Sequence, residues 1–189
     1  EGQEVLDASG LTAVPGFVDI HIHGCDGEDA SNGTVESIRT MARFLLKKGV
    51  TSFCPTTMTL PEEQIAQALS CAKYCMENPE EGARVLGVHM EGPYVSMKKK
   101  GAQKGDYVRT PDFEQFRRLY DGCGGIVRLV VVAPETEGAD DFIRQRTGLF
   151  QLVIQGIVLS VRNARRVLHV VFVRPFVERI HKIAHSVHM

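Results

Sequence analysis

The sequence predicts an α/β domain built on parallel strands, and three observations carry that expectation. Short apolar runs alternate with longer amphipathic stretches through residues 1–148, the order that βαβ units produce. The run Val127–Ala133 is apolar at nearly every position, as in strands covered on both faces by helices. The chain has 189 residues, of which 43% are hydrophobic, enough for one globular domain or part of a larger one.

Phe17–His23 reads as the first strand. Thr34–Lys48 reads as a helix, with Val35, Ile38, Ala42 and Leu45 on its apolar face and Gly49 at its end. Val50–Pro55 is the second strand. Pro61 opens the next helix, which runs to about Met76, and Glu62 and Glu63 in its first turn complement the helix dipole. Val85–Glu91 is expected as the third strand. A long loop containing Lys98-Lys99-Lys100-Gly101 follows, then a helix from about Pro111 to Tyr120. Val127–Ala133 is the fourth strand, and a short helix spans Ala139–Arg146. Before all of these, Val5–Ala8 could enter as a short strand through a turn at Ser9-Gly10.

The most informative stretch is Pro15-Gly16-Phe17-Val18-Asp19-Ile20-His21-Ile22-His23-Gly24. Alternate residues of a strand share a face, so His21 and His23 can present their imidazoles side by side at the strand's C-terminal end. A single histidine on a strand is usually a satisfied core or surface residue. Two at this spacing, after Asp19 and before a glycine, point to metal ligation, because neutral imidazole binds Zn, Fe and similar ions. Parallel α/β folds place their ligands at the C-terminal ends of the strands. Glu91 lies at such an end too, so His21, His23 and Glu91 are the candidate ligand set. His89, two residues before Glu91, reads as packing or hydrogen-bonding support rather than a ligand.

Composition narrows the classes. No run reaches the ~18–20 apolar residues of a membrane span, and no basic-then-apolar leader is read at the N-terminus. Cys25, Cys54, Cys71, Cys75 and Cys123 are odd in number and scattered, without zinc-ribbon spacing or a disulfide framework. Cys71 and Cys75 read as the buried face of a helix, and a reducing, cytoplasmic location is expected. The formal net charge of −1 conceals an asymmetry. Residues 1–148 hold 16 basic and 22 acidic residues, a net of −6, whereas residues 149–189 hold six basic residues and Glu178 alone, a net of +5.

The ordered motifs resemble a known family. Pro15–Gly24 is similar to the metal-binding first strand of the amidohydrolase superfamily. Within it, Gly49-Val50-Thr51-Ser52-Phe53-Cys54-Pro55-Thr56 and Gly87-Val88-His89-Met90-Glu91-Gly92-Pro93-Tyr94 look like the N-acetylglucosamine-6-phosphate deacetylases. So do the loop ending Lys99-Lys100-Gly101-Ala102 and the segment Ala133-Pro134-Glu135. The resemblance covers roughly residues 1–148. It implies the N-terminal half of a (β/α)₈ TIM-type barrel, incomplete, with residues 1–14 as the remnant of a small β-sandwich or entry strand and residues 15–148 as the partial hydrolase barrel. It implies hydrolysis of the acetamide of N-acetylglucosamine 6-phosphate to glucosamine 6-phosphate and acetate, in amino-sugar catabolism. The implied cofactor is a divalent metal, Zn or Fe, with Glu91 as a ligand and His21 and His23 matching a second metal position that some members have. Ala102 and Gln103 fall where the family's loop contacts the sugar phosphate. The second of these positions is commonly His; Gln103 can donate a hydrogen bond but carries no positive charge. Lys98–Lys100 reads as a solvated loop, with a role near the phosphate as the alternative. The implied partner is a small amino-sugar phosphate, with no nucleic acid and no membrane, and the full-length family is expected to be homo-oligomeric.

The same resemblance calls for two further metal-binding histidines and a catalytic aspartate, and none is identifiable; the catalytic residue is therefore unassigned. His169, His181, His185 and His188 match no family motif. The chain is thus expected to be truncated at both ends, and turnover by this exact polypeptide is not expected. Residues 149–189 form an atypical basic tail. Codons can be chosen for Leu149–Gln155 whose shifted frame reads Val-Ser-Val-Gly-His-Thr, the strand the family expects there, which motivates a frameshift as its origin. Two rival readings remain: a cyclic-amide hydrolase of the same superfamily, which the Glu-Gly-Pro strand end argues against, and a non-catalytic metal-binding fragment.

Overall fold

The computed structural model describes residues 7–145 and the backbone of 151–154. Five parallel strands carry the architecture. Strand β1 (Phe17–Ile22) pairs with β4 (Val50–Pro55), and β6 (Val88–Met90) pairs with β7 (Val127–Val132), which pairs with β8 (Gln151–Ile154). A single bridge, Thr56 to His89, joins the end of β4 to β6, so each strand lies beside its predecessor. Helix α1 (Val35–Lys47) connects β1 to β4, α2 (Glu62–Glu77) follows β4, α3 (Phe113–Gly122) precedes β7, and α4 (Ala139–Gln145) follows it. This is the parallel α/β arrangement the alternation predicts.

Local chemistry sets the boundaries. The Thr34 hydroxyl accepts the Ser37 N–H and caps α1, while Gly49, at φ +81°, supplies the left-handed step that ends it. Ile38, Ala42 and Leu45 are buried, as their spacing requires. Pro61 precedes α2, and its carbonyl accepts the Gln64 and Ile65 N–H groups. The Asp112 carboxylate accepts the Gln115 N–H and caps α3.

Two apolar clusters form the core. The larger packs Ile65, Leu69, Phe116, Leu119 and Phe142 against Val88, Met90, Val127, Val130 and Val132, burying β6 and β7 under α2, α3 and α4. The smaller packs Ile38, Met41 and Leu45 of α1 with Phe53 of β4 and Cys75 of α2.

The structure corrects several expectations. The third strand is not one run: β5 (Arg84–Val85) pairs with β4, and β6 begins only at Val88, beside β7. Gly87 separates them at φ +144°, where a Cβ would lie 2.5 Å from the Ile126 carbonyl oxygen. The first strand ends at Ile22, and His23 leads into a hairpin of β2 (Gly24–Cys25) and β3 (Glu28–Asp29). Asp26 and Gly27 turn it with φ of 55° and 80°, the pair of positive values that a two-residue primed turn demands. Ser9 and Gly10 form a turn, but Val5 and Leu6 lie outside the described residues, and so does the tail apart from Gln151–Ile154. The expected frameshift and the four tail histidines fall there as well.

Candidate metal centre

His21 belongs to the last turn of pleat in β1, His23 stands just beyond it, and Glu91 follows β6 directly. All three lie at the C-terminal ends of parallel strands. His21 Nε2 is 2.9 Å from Glu91 Oε2, and His23 Nε2 is 3.5 Å from the same oxygen. The two Nε2 atoms are 3.4 Å apart. Among the described residues this is the one group of three or more His, Cys, Asp or Glu whose donor atoms fall within 4.8 Å of one another.

The donor set suits a divalent ion. Ligand bonds of ~2.0–2.2 Å in a tetrahedron put neighbouring donors about 3.3–3.6 Å apart; the 3.4 and 3.5 Å separations fall in that range, and the third, 2.9 Å between His21 and Glu91, is shorter. His23 Nδ1 lies 3.3 Å from the Thr56 carbonyl oxygen, which can accept its proton, so that Nε2 is free to ligate once its own proton is displaced by an ion. Asp19 acts from behind: its carboxylate accepts the His21 main-chain N–H at 3.0 Å.

Charge and burial pull in opposite directions at both His23 and Glu91. The hydrogen bond to Glu91 raises the His23 pKa, against an opposing effect of burial. Burial pushes the Glu91 carboxyl up, yet hydrogen bonds from His23 and Gln103, with the charges of His23 and His21, hold it below the usual carboxylate value. Glu91 is therefore an anion at neutral pH, as a ligand must be.

His89 takes the supporting place that its position suggests. It is 2% exposed, and its Nδ1 lies 2.8 Å from the Ile20 carbonyl oxygen of β1. Its ring packs edge-on against His21 with centroids 4.6 Å apart. The Nδ1 proton goes to Ile20, so the buried Nε2 is left as an acceptor with no partner. Burial drives its pKa down to about 4, so the ring is neutral at pH 7.

The two loop residues part company. Ala102 is exposed. Gln103 is buried, and its side chain is committed at both ends: Oε1 accepts the Thr59 N–H at 2.6 Å, and Nε2 donates to Glu91 Oε1 at 2.6 Å. Lys98 and Lys99 are exposed, whereas Lys100 Nζ donates to the Gln103 carbonyl at 2.8 Å. The Thr59 contact is one that sequence reasoning misses, because no local pattern links positions 44 residues apart. No aspartate joins the cluster among the described residues.

Similarity to known proteins decides the family. A profile of the Amidohydrolase family matches residues 12–144. The chain belongs to this family. It is 37% identical over 145 residues to an N-acetylglucosamine-6-phosphate deacetylase from Bacillus subtilis (strain 168), covering 75% of this chain and 37% of the relative. It is 38% identical over 151 residues to the deacetylase of the same name from Bos taurus, covering 77% and 37%. Among solved structures, the Mycobacterium smegmatis N-acetyl-D-glucosamine-6-phosphate deacetylase, in complex with N-acetyl-D-glucosamine-6-phosphate, superposes with a TM-score of 0.67 at 29% identity, covering 75% of this chain and 36% of that one. The Thermotoga maritima enzyme gives 0.61 at 34% identity, covering 74% and 36%. The chain thus spans a little over a third of the length of the relatives it matches. No helix among the described residues is long and apolar enough to cross a membrane.

Proposed function

We propose that His21, His23 and Glu91 are ligands in a centre for metal-dependent deacetylation of N-acetylglucosamine 6-phosphate. Water would cleave the acetamide C–N bond, giving acetate and the free amine of glucosamine 6-phosphate. The observation that carries this reading is the convergence of two imidazoles and one ionised carboxylate at the strand ends of an amidohydrolase chain. These three side chains would hold a divalent ion, Zn or Fe, which would supply Lewis-acid polarisation of the amide carbonyl and a lowered pKa for the attacking water. His21 and His23 supply neutral nitrogen donors, and Glu91 supplies the charge that offsets the ion's. His89 holds the β1 backbone at Ile20 and keeps the His21 ring in place through edge contact. Ala102 and Gln103 are proposed to stand on the sugar-phosphate side, Ala102 from its exposed loop and Gln103 by way of Glu91. The group that moves protons between water and the leaving amine has no candidate among the described residues, so turnover by this chain alone is not expected. Five free thiols suit the cytoplasm as its location.

Zinc titration of the metal-free 189-residue chain tests the reading, with acetate release from N-acetylglucosamine 6-phosphate followed in parallel. Binding that disappears in Glu91→Gln and in His21→Ala is expected, without acetate release above background. Failure to bind, or binding indifferent to both substitutions, would sink the metal centre. Metal-stimulated release lost in Glu91→Gln would uphold the reaction and overturn the expectation of inactivity.

A further inference from the structure

Gln103 sits at the junction of three segments. Its own loop carries it, Thr59 lies beyond the end of β4, and Glu91 lies at the end of β6. The Thr59 main-chain N–H can only donate, so the amide oxygen must face it and the amide nitrogen must face the carboxylate. Its orientation is thereby fixed by the backbone. Lys100 anchors the same residue from the other side through the Gln103 carbonyl. The side chain is 4% exposed, so water cannot readily replace either contact.

Glu91 consequently presents two unlike oxygens. Oε1 receives the Gln103 N–H, whereas Oε2 faces His21 Nε2 and His23 Nε2. Binding an ion through both oxygens would turn Oε1 away from Gln103 and leave its buried amide nitrogen only the weak thioether acceptor Met58 Sδ at 3.6 Å, an unfavourable exchange for a short charge-assisted hydrogen bond. We propose that Gln103 is a positioning residue of the metal centre, holding Glu91 by Oε1 so that the carboxylate ligates through Oε2 alone. The inference rests on the metal reading given above. It assigns the Gln103 side chain a task at the ligand in addition to its place on the sugar-phosphate side, and a neutral donor suits it: the amide orients the carboxylate without competing with the ion for its charge.

The test uses the full chain with Zn²⁺, in wild type and in Gln103→Met, which keeps the length and removes both polar ends. Partners that orient a metal ligand are typically worth ~10–100-fold in affinity, and a loss of that size is expected in Gln103→Met. The Co²⁺-loaded variant is expected to change its visible spectrum as the freed carboxylate alters coordination. Zinc affinity within about twofold of wild type, with an unchanged Co²⁺ spectrum, would overturn the inference. A second measurement needs no loop variant: the infrared difference between zinc-loaded wild type and Glu91→Gln. A wide gap between the asymmetric and symmetric carboxylate stretches, the mark of one-oxygen ligation, is expected; a narrow gap would overturn the proposal even if Gln103→Met fails to fold. The two levels separate cleanly. Wild type that binds no zinc defeats the metal reading, whereas zinc binding lost in Glu91→Gln but intact in Gln103→Met defeats only the role of Gln103.

Discussion

Acid should unfold the metal-free protein partly through His89. The ring is 2% exposed and hydrogen-bonded to Ile20, and its pKa falls from 6.5 to about 4. At ~1.4 kcal/mol per unit, that depression corresponds to about 3 kcal/mol. The sign follows from proton counting. Between pH 6.5 and about 4 the unfolded chain takes up a proton at this residue while the native state refuses it, so stability falls as pH falls through that window. The charged and titratable neighbours are His21, His23 and Glu91. His23, with its raised pKa, acts in the opposite sense: its stabilisation is complete below 6.5 and is lost as pH rises through its native value. Glu91 stabilises above its ordinary value of 4.5 and loses that contribution as pH falls. A comparison with His89→Asn separates the terms, because Asn can donate to Ile20 but does not titrate. Urea unfolding in the presence of a chelator, repeated from pH 7.5 to 4.5, should give a wild-type stability that drops up to ~1.4 kcal/mol per pH unit faster than the variant's. Parallel curves would mean that native His89 accepts its proton near the ordinary value, and the burial argument would be wrong.

Gly92→Ala should both destabilise the fold and weaken metal binding. Gly92 has φ +75°, and a Cβ there would lie 2.3 Å from Thr59 Oγ1 and 2.8 Å from Thr59 Cα. A loss above about 1 kcal/mol in urea unfolding is expected, and an unchanged midpoint would contradict it. Asp112→Ala removes the side-chain cap of α3 and should cost about 1 kcal/mol by the same measurement, with zinc affinity unaltered. A thiol reagent at pH 8 should modify Cys25 first, because it is half-buried while the other four cysteines are buried. Burial pushes the Cys54 thiol up to about 12 and Cys75 up to about 11, so prompt labelling of either would show that its helix or strand opens more freely than its packing implies.

Much of the architecture is legible in the sequence where periodicity and end signals agree. Helix α1 is an example: Thr34 and Gly49 mark its ends, and Ile38, Ala42 and Leu45 share one face. Strand β4 occupies Val50–Pro55 as read. The division between β5 and β6 is hidden, because Val85–Glu91 reads as one run and only the backbone angle of Gly87 shows the change of partner. The β2–β3 hairpin is short, but Asp26-Gly27 was a usable turn signal for it. At the site, the pairing of His21 with His23 follows from strand alternation alone. The approach of Glu91 needs the order of strands, and the grip of Gln103 on Glu91 and Thr59 needs the path of a long loop. Such contacts arise from tertiary packing, which leaves no period in the sequence.

The Thr56–His89 bridge is the narrow join between two three-stranded sheets, β1-β4-β5 and β6-β7-β8. His21 and His23 stand on one side of that seam and Glu91 on the other, while His89 reaches back across it to Ile20. A ligand gripping all three donors would therefore work as a clamp across the weakest line of the barrel wall. Affinity and mechanical cohesion become linked there: whatever tightens the grip also resists the parting of the two halves, and amide exchange at Thr57, whose N–H donates across the seam to the His89 carbonyl at 3.1 Å, would register both.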